Sequence, residues 1–279
     1  MNAGRELGAI ARLDFAEVRR SRWLPFAAGI FALLGAGFVW IGLRESSFLG
    51  FTGMGRALLS LSHALVLLLP LLALAATAQT VNRAREDGTL ELLFGGPLRR
   101  RSYLLALALT RWFSLLAPLL VLFVGLAALG SLAFRQPVPW AYLLRATAIA
   151  AALLFAFVGV GLAISTLVRS QARAMLLVLV VWAGCVALLD FGLLALLLRW
   201  RLAPEAVFAL GAVNPVQVAR LALLAGAEPE LSVLGPVGHF LSSRLGQGPL
   251  LALGVGWPAA RGLGSLAIAL RRFARGDVI

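Results

Sequence analysis

The chain has 279 residues, of which 61% are hydrophobic and only 13% are charged. A soluble domain of this length carries roughly a quarter charged residues and about half apolar ones. This excess of apolar residues excludes a water-soluble fold and predicts a polytopic membrane protein.

All 25 basic residues are arginines. The absence of lysine excludes a P-loop and other lysine-dependent ATP sites within this chain. We therefore expect a partner subunit to bind and hydrolyse any ATP, with its Mg²⁺.

Cys185 is the only cysteine, so the sequence excludes an internal disulfide and thiolate metal motifs, and we expect no cofactor on this chain. The net charge of +13 is dispersed between apolar runs, which favours a role in membrane topology over nucleic-acid binding.

Six apolar runs are long enough to cross about 30 Å of hydrocarbon as helices. They lie at residues 23–43, 57–81, 104–134, 142–168, 174–198 and 249–270. We therefore predict an all-α fold, a single transmembrane domain over residues 1–279 with six transmembrane helices.

The distribution of arginine predicts the orientation of these spans. Fifteen arginines lie in one set of flanking segments, 1–22, 82–101, 169–173 and 271–279. Only seven lie in the alternate set, 44–56, 135–141 and 199–248. Because cytoplasmic segments carry the excess of basic residues, we expect both termini in the cytoplasm.

Residues 1–22 precede the first span and show a helical period with mixed charge. Leu7, Ile10 and Val18 recur on one side, with Asp14 and Glu17 among them. This pattern predicts an amphipathic helix along the inner membrane surface. The alternative is an ordinary positively charged flank of the first span.

Residues 199–248 form the longest segment between predicted spans and should lie in the periplasm. Proline, favoured at the first helical position, predicts two short helices at Pro204–Leu210 and Pro215–Ala225. Asn214 is placed to cap the second helix. These helices could lie on the membrane or enter it, and we expect Asn214, Pro215 and Arg220 to dock a periplasmic partner.

Residues 82–101 join the second and third spans. A short helix is predicted from Thr89 to Phe94, with Glu86 and Asp87 near its positive N-terminal end. Gly95-Gly96-Pro97 should end it. Its apolar residues need either a partner groove or the bilayer interface to cover them.

This segment reads Glu86…Gly88-Thr89-Leu90-Glu91-Leu92-Leu93…Pro97…Arg100 and resembles the coupling segment of type-2 ATP-binding-cassette exporter permeases. Such permeases have six spans, dimerise and pair with separate ATPase subunits. The resemblance covers essentially the whole chain and implies a homodimer of this type. It assigns ATPase coupling to Glu86, Asp87, Gly88, Thr89, Leu90, Glu91, Leu93, Phe94, Pro97 and Arg100.

A narrower resemblance is to the permeases of the systems that mature nitrous oxide reductase. It is carried by Leu49-Gly-Phe-Thr52, Leu189-Asp-Phe-Gly-Leu-Leu-Ala-Leu197 and Asn214-Pro215…Arg220-Leu221…Gly226. It implies a cytoplasmic ATPase partner, a periplasmic partner and a role in copper-centre assembly at the bacterial inner membrane. The scarcity of thiolate and thioether ligands favours a sulfur species or a mechanical signal over copper as what is transmitted.

Two other functions fit the same sequence. One is a general exporter of lipid, peptide or drug, and the other is a membrane anchor or signalling scaffold without transport. An intramembrane enzyme is disfavoured, because the loops offer no catalytic constellation of Ser, His and Asp.

Among the ionisable residues inside the predicted spans, where each is costly, we single out His63, Asp190 and Arg261. Asp190 and Arg261 have similar predicted depths, and we expect them to form an ion pair, as a structural clasp or as part of a gated path. Otherwise Asp190 faces the dimer interface or water. We expect His63 to be a hydrogen-bonded interior residue. Pro258 and Arg261 together predict a polar sixth span that breaks readily.

Overall fold

The computed structural model describes residues 3–21, 23–45, 53–96, 98–132, 135, 138–188, 204–228, 230–231 and 234–275. All regular elements within these ranges are helices. In chain order they are α1 Ala3–Arg20, α2 Trp23–Glu45, α3 Gly53–Thr77, α4 Thr80–Glu86, α5 Thr89–Phe94, α6 Arg100–Leu132, α7 Trp140–Leu167, α8 Gln171–Ala183, α9 Pro204–Ala212, α10 Pro215–Ala227, α11 Gly235–Arg244 and α12 Gln247–Arg275.

Within the described residues, five helical segments are long and apolar enough to cross a membrane. They comprise α2, α3 continued into α4, α6, α7 and α12, and they correspond to five of the six predicted spans. The predicted span 174–198 begins in α8, which continues as a π-helical turn at Gly184–Leu188. Residues 189–198 lie outside the described residues, so this fifth predicted span stays a prediction.

Helix α7 forms the centre of the bundle and packs mainly against α12 and α3. Small residues allow this close approach. A Cβ added at Gly159 would lie 2.6 Å from the carbonyl oxygen of Gly262, and one added at Gly161 would lie 1.9 Å from Oγ1 of Thr77. These glycines serve contacts within one chain, which is the use expected of small residues between membrane helices.

The sixth predicted span, 249–270, lies within the continuous helix α12, which is not interrupted at Pro258 or Arg261. Pro258 lies inside α12 and is buried. Arg261 is exposed and donates a hydrogen bond to the carbonyl oxygen of Val213 at 3.4 Å, and its guanidinium lies 5.4 Å from the ring centre of Trp257. The arginine therefore finds partners without interrupting the helix.

Helices α9 and α10 meet at a bend of 120°. Their bounds extend the predicted short helices by two residues at each C-terminal end. The predicted cap is confirmed, because the Asn214 side chain accepts a hydrogen bond from the backbone amide of Val216 at 3.0 Å. Helix α10 packs against α12, α7 and α3, which places it inside the helical bundle.

Candidate functional site

The segment between α3 and α6 contains two breaks that shape the candidate site. Helix α3 ends at Thr77, and α4 restarts at Thr80. The backbone amide of Val81 donates to the hydroxyl of Ser165 on α7 at 2.9 Å, in a buried position. An amide freed by the first break is thereby satisfied by a side chain from the central helix.

The second break is the turn between α4 and α5. Gly88 has a φ of 69°, a left-handed conformation that glycine adopts without steric cost. The backbone amides of Asp87 and Gly88 close the end of α4 by donating to the carbonyl oxygens of Arg83 and Arg85. Glycine therefore allows α5 to leave at a new angle, and the predicted helix Thr89–Phe94 is confirmed in its bounds.

Helix α5 has one covered face and one open face. Leu90 is fully buried, and Leu93 and Phe94 are half-buried against the chain itself. Leu92 is 83% exposed, and Glu91 beside it is also exposed. The expectation that all these apolar residues need an outside cover therefore holds only for Leu92.

Phe94 fixes the end of α5 to two long helices. Its ring lies 5.6 Å from that of Tyr103 on α6 and 5.9 Å from that of Phe273 on α12. The Tyr103 and Phe273 rings are themselves 5.9 Å apart. Arg100 strengthens the same junction by donating to the carbonyl oxygen of Ala274 at 3.3 Å. The end of α5 is therefore in direct contact with both α6 and α12.

Glu86 joins the segment to α8. Its carboxylate accepts a hydrogen bond from the side-chain amide of Gln171, the first residue of that helix. Further along α8, the indole N–H of Trp182 donates to the carbonyl oxygen of Leu67 on α3 at 3.0 Å.

Of the other predicted coupling residues, Asp87 is exposed and Thr89 is half-buried at the turn. Pro97 lies outside the described residues.

Helix α1 packs against α6 along a face that includes two carboxylates. Glu6 and Asp14 are buried, at 3% and 4% exposure, in a row with Ile10 and Val18. Glu6 accepts a hydrogen bond from the hydroxyl of Ser102 at 3.4 Å. The predicted N-terminal helix is thus present, and part of its mixed charge faces the protein.

Asp14 forms an ion pair with Arg111, which lies about three turns into α6. The guanidinium donates to Oδ1 of Asp14 at 2.6 Å and lies 3.6 Å from Oε1 of Glu17. Burial raises the pKa of the Asp14 carboxyl above its ordinary value of 3.8, and the attraction of Arg111 opposes this shift without cancelling it. Sequence reasoning missed this pair, because the partners are 97 residues apart.

A cavity of about 290 Å³ lies between α1, the α4–α5 segment and α6. Its polar lining comes chiefly from Asp14, Glu17, Arg83 and Asp87. The remaining lining residues are Ile10, Leu13, Thr80, Ala84, Thr89, Leu93, Tyr103 and Leu107. The predicted coupling residues and the missed carboxylates therefore share one cavity.

The structure describes two of the three predicted intramembrane residues, His63 and Arg261. His63 on α3 shares a hydrogen bond of 2.9 Å between its Nδ1 and the carbonyl oxygen of Leu59. Arg261 on α12 contacts the α9–α10 bend through its hydrogen bond to Val213. Asp190 falls outside the described residues, so its pairing with Arg261 stays a prediction.

The residues predicted to dock a periplasmic partner are mostly covered. Asn214 is 2% exposed and Pro215 is buried, whereas Arg220 on α10 is half-buried. The side-chain amide of Asn214 also donates to the carbonyl oxygen of Cys185 in the π-helical turn after α8. In this chain Asn214 therefore joins α10 to the predicted fifth span and cannot present its side chain outward.

Within the described ranges, no group of three or more His, Cys, Asp or Glu side chains could hold a metal ion. The distinctive features of this site are instead the contacts that join its short helices to the long ones. The short helix α5 is held against two long helices, α6 and α12, and leaves the side chain of Leu92 exposed.

Comparison with known proteins agrees with this arrangement. Residues 8–198 match the model of the family described as "ABC-2 family transporter protein". The chain belongs to the ABC-2 family of transporter permeases. It is a multi-pass membrane protein of a family whose ATPase is a separate subunit.

Two relatives carry the same printed name, "Probable ABC transporter permease protein NosY". The protein from Pseudomonas aeruginosa is 34% identical over 223 residues, which cover 78% of this chain and 81% of the relative. The protein from Stutzerimonas stutzeri is 33% identical over 232 residues, covering 81% of this chain and 84% of the relative. The chain is thus similar to NosY-type permeases over most of its length.

Proposed function

We propose that this chain is the permease subunit of a NosY-like ATP-binding-cassette system in the bacterial inner membrane. Two copies pair with a cytoplasmic NosF-like ATPase, which binds ATP and Mg²⁺, and with a periplasmic NosD-like protein. This chain binds no cofactor itself. Both termini and the α4–α5 segment face the cytoplasm, in keeping with the excess of arginine in residues 1–22, 82–101, 169–173 and 271–279.

The observation that carries the proposal is the two-faced character of α5. A coupling helix needs one face fixed to the permease and another that the ATPase can contact. Leu90 is fully buried, whereas Leu92, two residues later, is 83% exposed. An exposed leucine flanked by the exposed Glu91 suits helix-in-groove docking.

The contacts of the segment supply the route for the signal. Phe94 contacts rings on α6 and α12, and Glu86 accepts a hydrogen bond from Gln171 at the start of α8. A shift of α5 on ATP-driven closure therefore reaches α6 and α12 directly, and it reaches α8 through Glu86 of the adjoining α4. For this coupling to work, the ATPase must contact α5 differently in its nucleotide states.

On the periplasmic side, the proposed output is export of a sulfur species or a conformational signal for copper-centre assembly in nitrous oxide reductase. The similarity to NosY-type permeases supports this system over a general exporter. The bend between α9 and α10 supports a conformational output, because Asn214 there joins the helix pair to the turn that follows α8.

The test is purification of the tagged protein from native membranes in detergent, with partners identified by mass spectrometry. Recovery of an ATPase together with a periplasmic repeat protein supports the proposed system. Recovery of an ATPase alone would favour a general exporter of lipid, peptide or drug. Recovery of neither would contradict the proposal.

Two variants of the α4–α5 segment test the coupling role itself. Glu86→Gln and Glu91→Gln should leave membrane insertion and ATPase recovery intact while separating ATP hydrolysis from maturation of the reductase. Ser131→Ala, an exposed change near the end of α6, serves as the control. Loss of insertion in the two glutamate variants would contradict the coupling role.

A further inference from the structure

The cavity beside α5 contains a buried carboxylate oxygen that the described chain does not satisfy. Oδ1 of Asp14 accepts the hydrogen bond from Arg111, but Oδ2 is buried without a hydrogen-bond partner. Asp14 lines the cavity of about 290 Å³ between α1, the α4–α5 segment and α6. Buried polar atoms are nearly always hydrogen-bonded, so this oxygen calls for a donor.

The charge of the cavity favours a cationic donor. Asp14, Glu17 and Asp87 contribute three carboxylates to its lining, against the single guanidinium of Arg83. Arg83 is exposed and makes no ion pair within 4.0 Å among the described residues. Even with Arg111 behind Asp14, the carboxylates remain in excess.

The rest of the lining suits a long side chain rather than a free ion. Ile10, Leu93 and Leu107 give apolar walls, along which the methylene stem of a lysine or arginine can lie while its charged end reaches a carboxylate. Leu13, Glu17 and Asp87 are exposed, so the cavity opens at the protein surface. A side chain from outside can therefore enter.

We propose that this cavity receives a basic side chain, lysine or arginine, of the partner ATPase, which pairs with Asp14. The inference rests on the proposed function, because it needs an ATPase docked on α5. Thr89 and Leu93 of α5 line the cavity, so one partner surface can contact Leu92 and insert into the cavity together. The cavity thus gives the ATPase a second contact, between opposite charges, in addition to the apolar contact at Leu92.

The raised pKa of the Asp14 carboxyl is consistent with this anchor. Burial shifts it upward despite the Arg111 guanidinium, so the carboxylate of the isolated chain is incompletely compensated. A second cation would compensate it.

The experiment uses the complete complex. A photoreactive phenylalanine analogue replaces Leu13 at the cavity rim, and the crosslinked ATPase peptide is sequenced by mass spectrometry. We expect a peptide that contains a lysine or arginine. Crosslinks only to lipid, or to a segment without a basic residue, would overturn the proposal.

Affinity measurements then test the pair. Asp14→Asn keeps an oxygen acceptor for Arg111 but removes the charge, and should weaken ATPase binding about tenfold or more. Neutralising the crosslinked basic residue of the ATPase should have a similar effect. The double variant should be no weaker than either single variant, because both changes remove one interaction. Additive effects would overturn the proposal.

Two further variants separate binding from folding. Glu6→Gln changes another buried carboxylate on the same face of α1 that does not line the cavity, and should leave the affinity unchanged. Asp87→Asn, on the exposed wall opposite α1, should weaken binding in the same direction as Asp14→Asn. If the wild-type chain recovers no ATPase, the proposed function fails. If it recovers the ATPase and Asp14→Asn binds equally well, only this inference fails.

Discussion

The guanidinium of Arg111 lies 2.6 Å from Oδ1 of Asp14 and joins the N-terminal helix α1 to the long helix α6. Both side chains are almost completely buried. The pair explains how an arginine is accommodated three turns into a membrane helix, since its charge is directed at a carboxylate from a neighbouring element. It also fixes one wall of the cavity beside α5.

Removing one member of this pair should be far more harmful than removing both. Arg111→Met leaves the Asp14 carboxylate buried without a counter-ion, and we expect a loss of about 3 kcal/mol or more in the free energy of unfolding. The double variant Asp14→Leu, Arg111→Met should regain most of the lost free energy of unfolding. Thermal unfolding in detergent measures the stability of the single and the double variant. A double variant as unstable as Arg111→Met would contradict this account.

The shifted pKa of Asp14 predicts a pH dependence with a defined sign. Because the folded-state pKa is raised above 3.8, folding disfavours the charged form. The carboxyl group therefore costs stability as pH rises from 3.8 through the raised pKa. The free energy of unfolding of the wild-type chain should therefore fall, relative to that of Asp14→Asn, as the pH rises from about 4 to 7. A wild-type advantage that grows across that window would show that attraction to Arg111 dominates.

Ser165 should control the break before α4. Ser165→Ala leaves the buried amide of Val81 without its acceptor, which costs about 1–3 kcal/mol. Hydrogen exchange at Val81 should accelerate, and thermal stability should fall. Ser131→Ala, whose hydroxyl is exposed, should change neither. Unchanged exchange at Val81 would mean that the hydroxyl does not hold this amide.

Asn214 has two separable hydrogen bonds. Asn214→Ser keeps a capping oxygen for α10 but loses the amide donor to Cys185, whereas Asn214→Ala loses both. We expect the alanine variant to be less stable than the serine variant by about 1 kcal/mol. Maleimide labelling of Cys185, the only cysteine, should accelerate in both. Labelling at the wild-type rate would show that Asn214 does not restrain the π-helical turn.

Local chemistry in the sequence was enough to place the short elements of the site. Glycine at Gly88 and Gly95 bounds α5, and Asn214 followed by Pro215 marks the start of α10. These signals lie within a few residues of the structures that they determine, so no knowledge of tertiary packing is needed.

The missed features all depend on contacts between distant elements. Amphipathic reasoning assigns carboxylates to the solvent face, yet Glu6 and Asp14 lie on the buried face of α1 because Ser102 and Arg111 of α6 receive them. The burial of Asn214 likewise depends on contacts with distant elements. The sequence predicts that Asn214 caps α10, but it does not predict that Asn214 is buried against other helices.

The central claim is that the open face of α5 contacts an ATPase. The most direct measurement places a photoreactive amino acid at Leu92 and, as the matched control, at Leu132, another leucine with 83% exposure. After irradiation of native membranes, the account predicts a covalent adduct with a cytoplasmic ATPase from position 92 and none from position 132. Adducts of position 92 with lipid alone would contradict it.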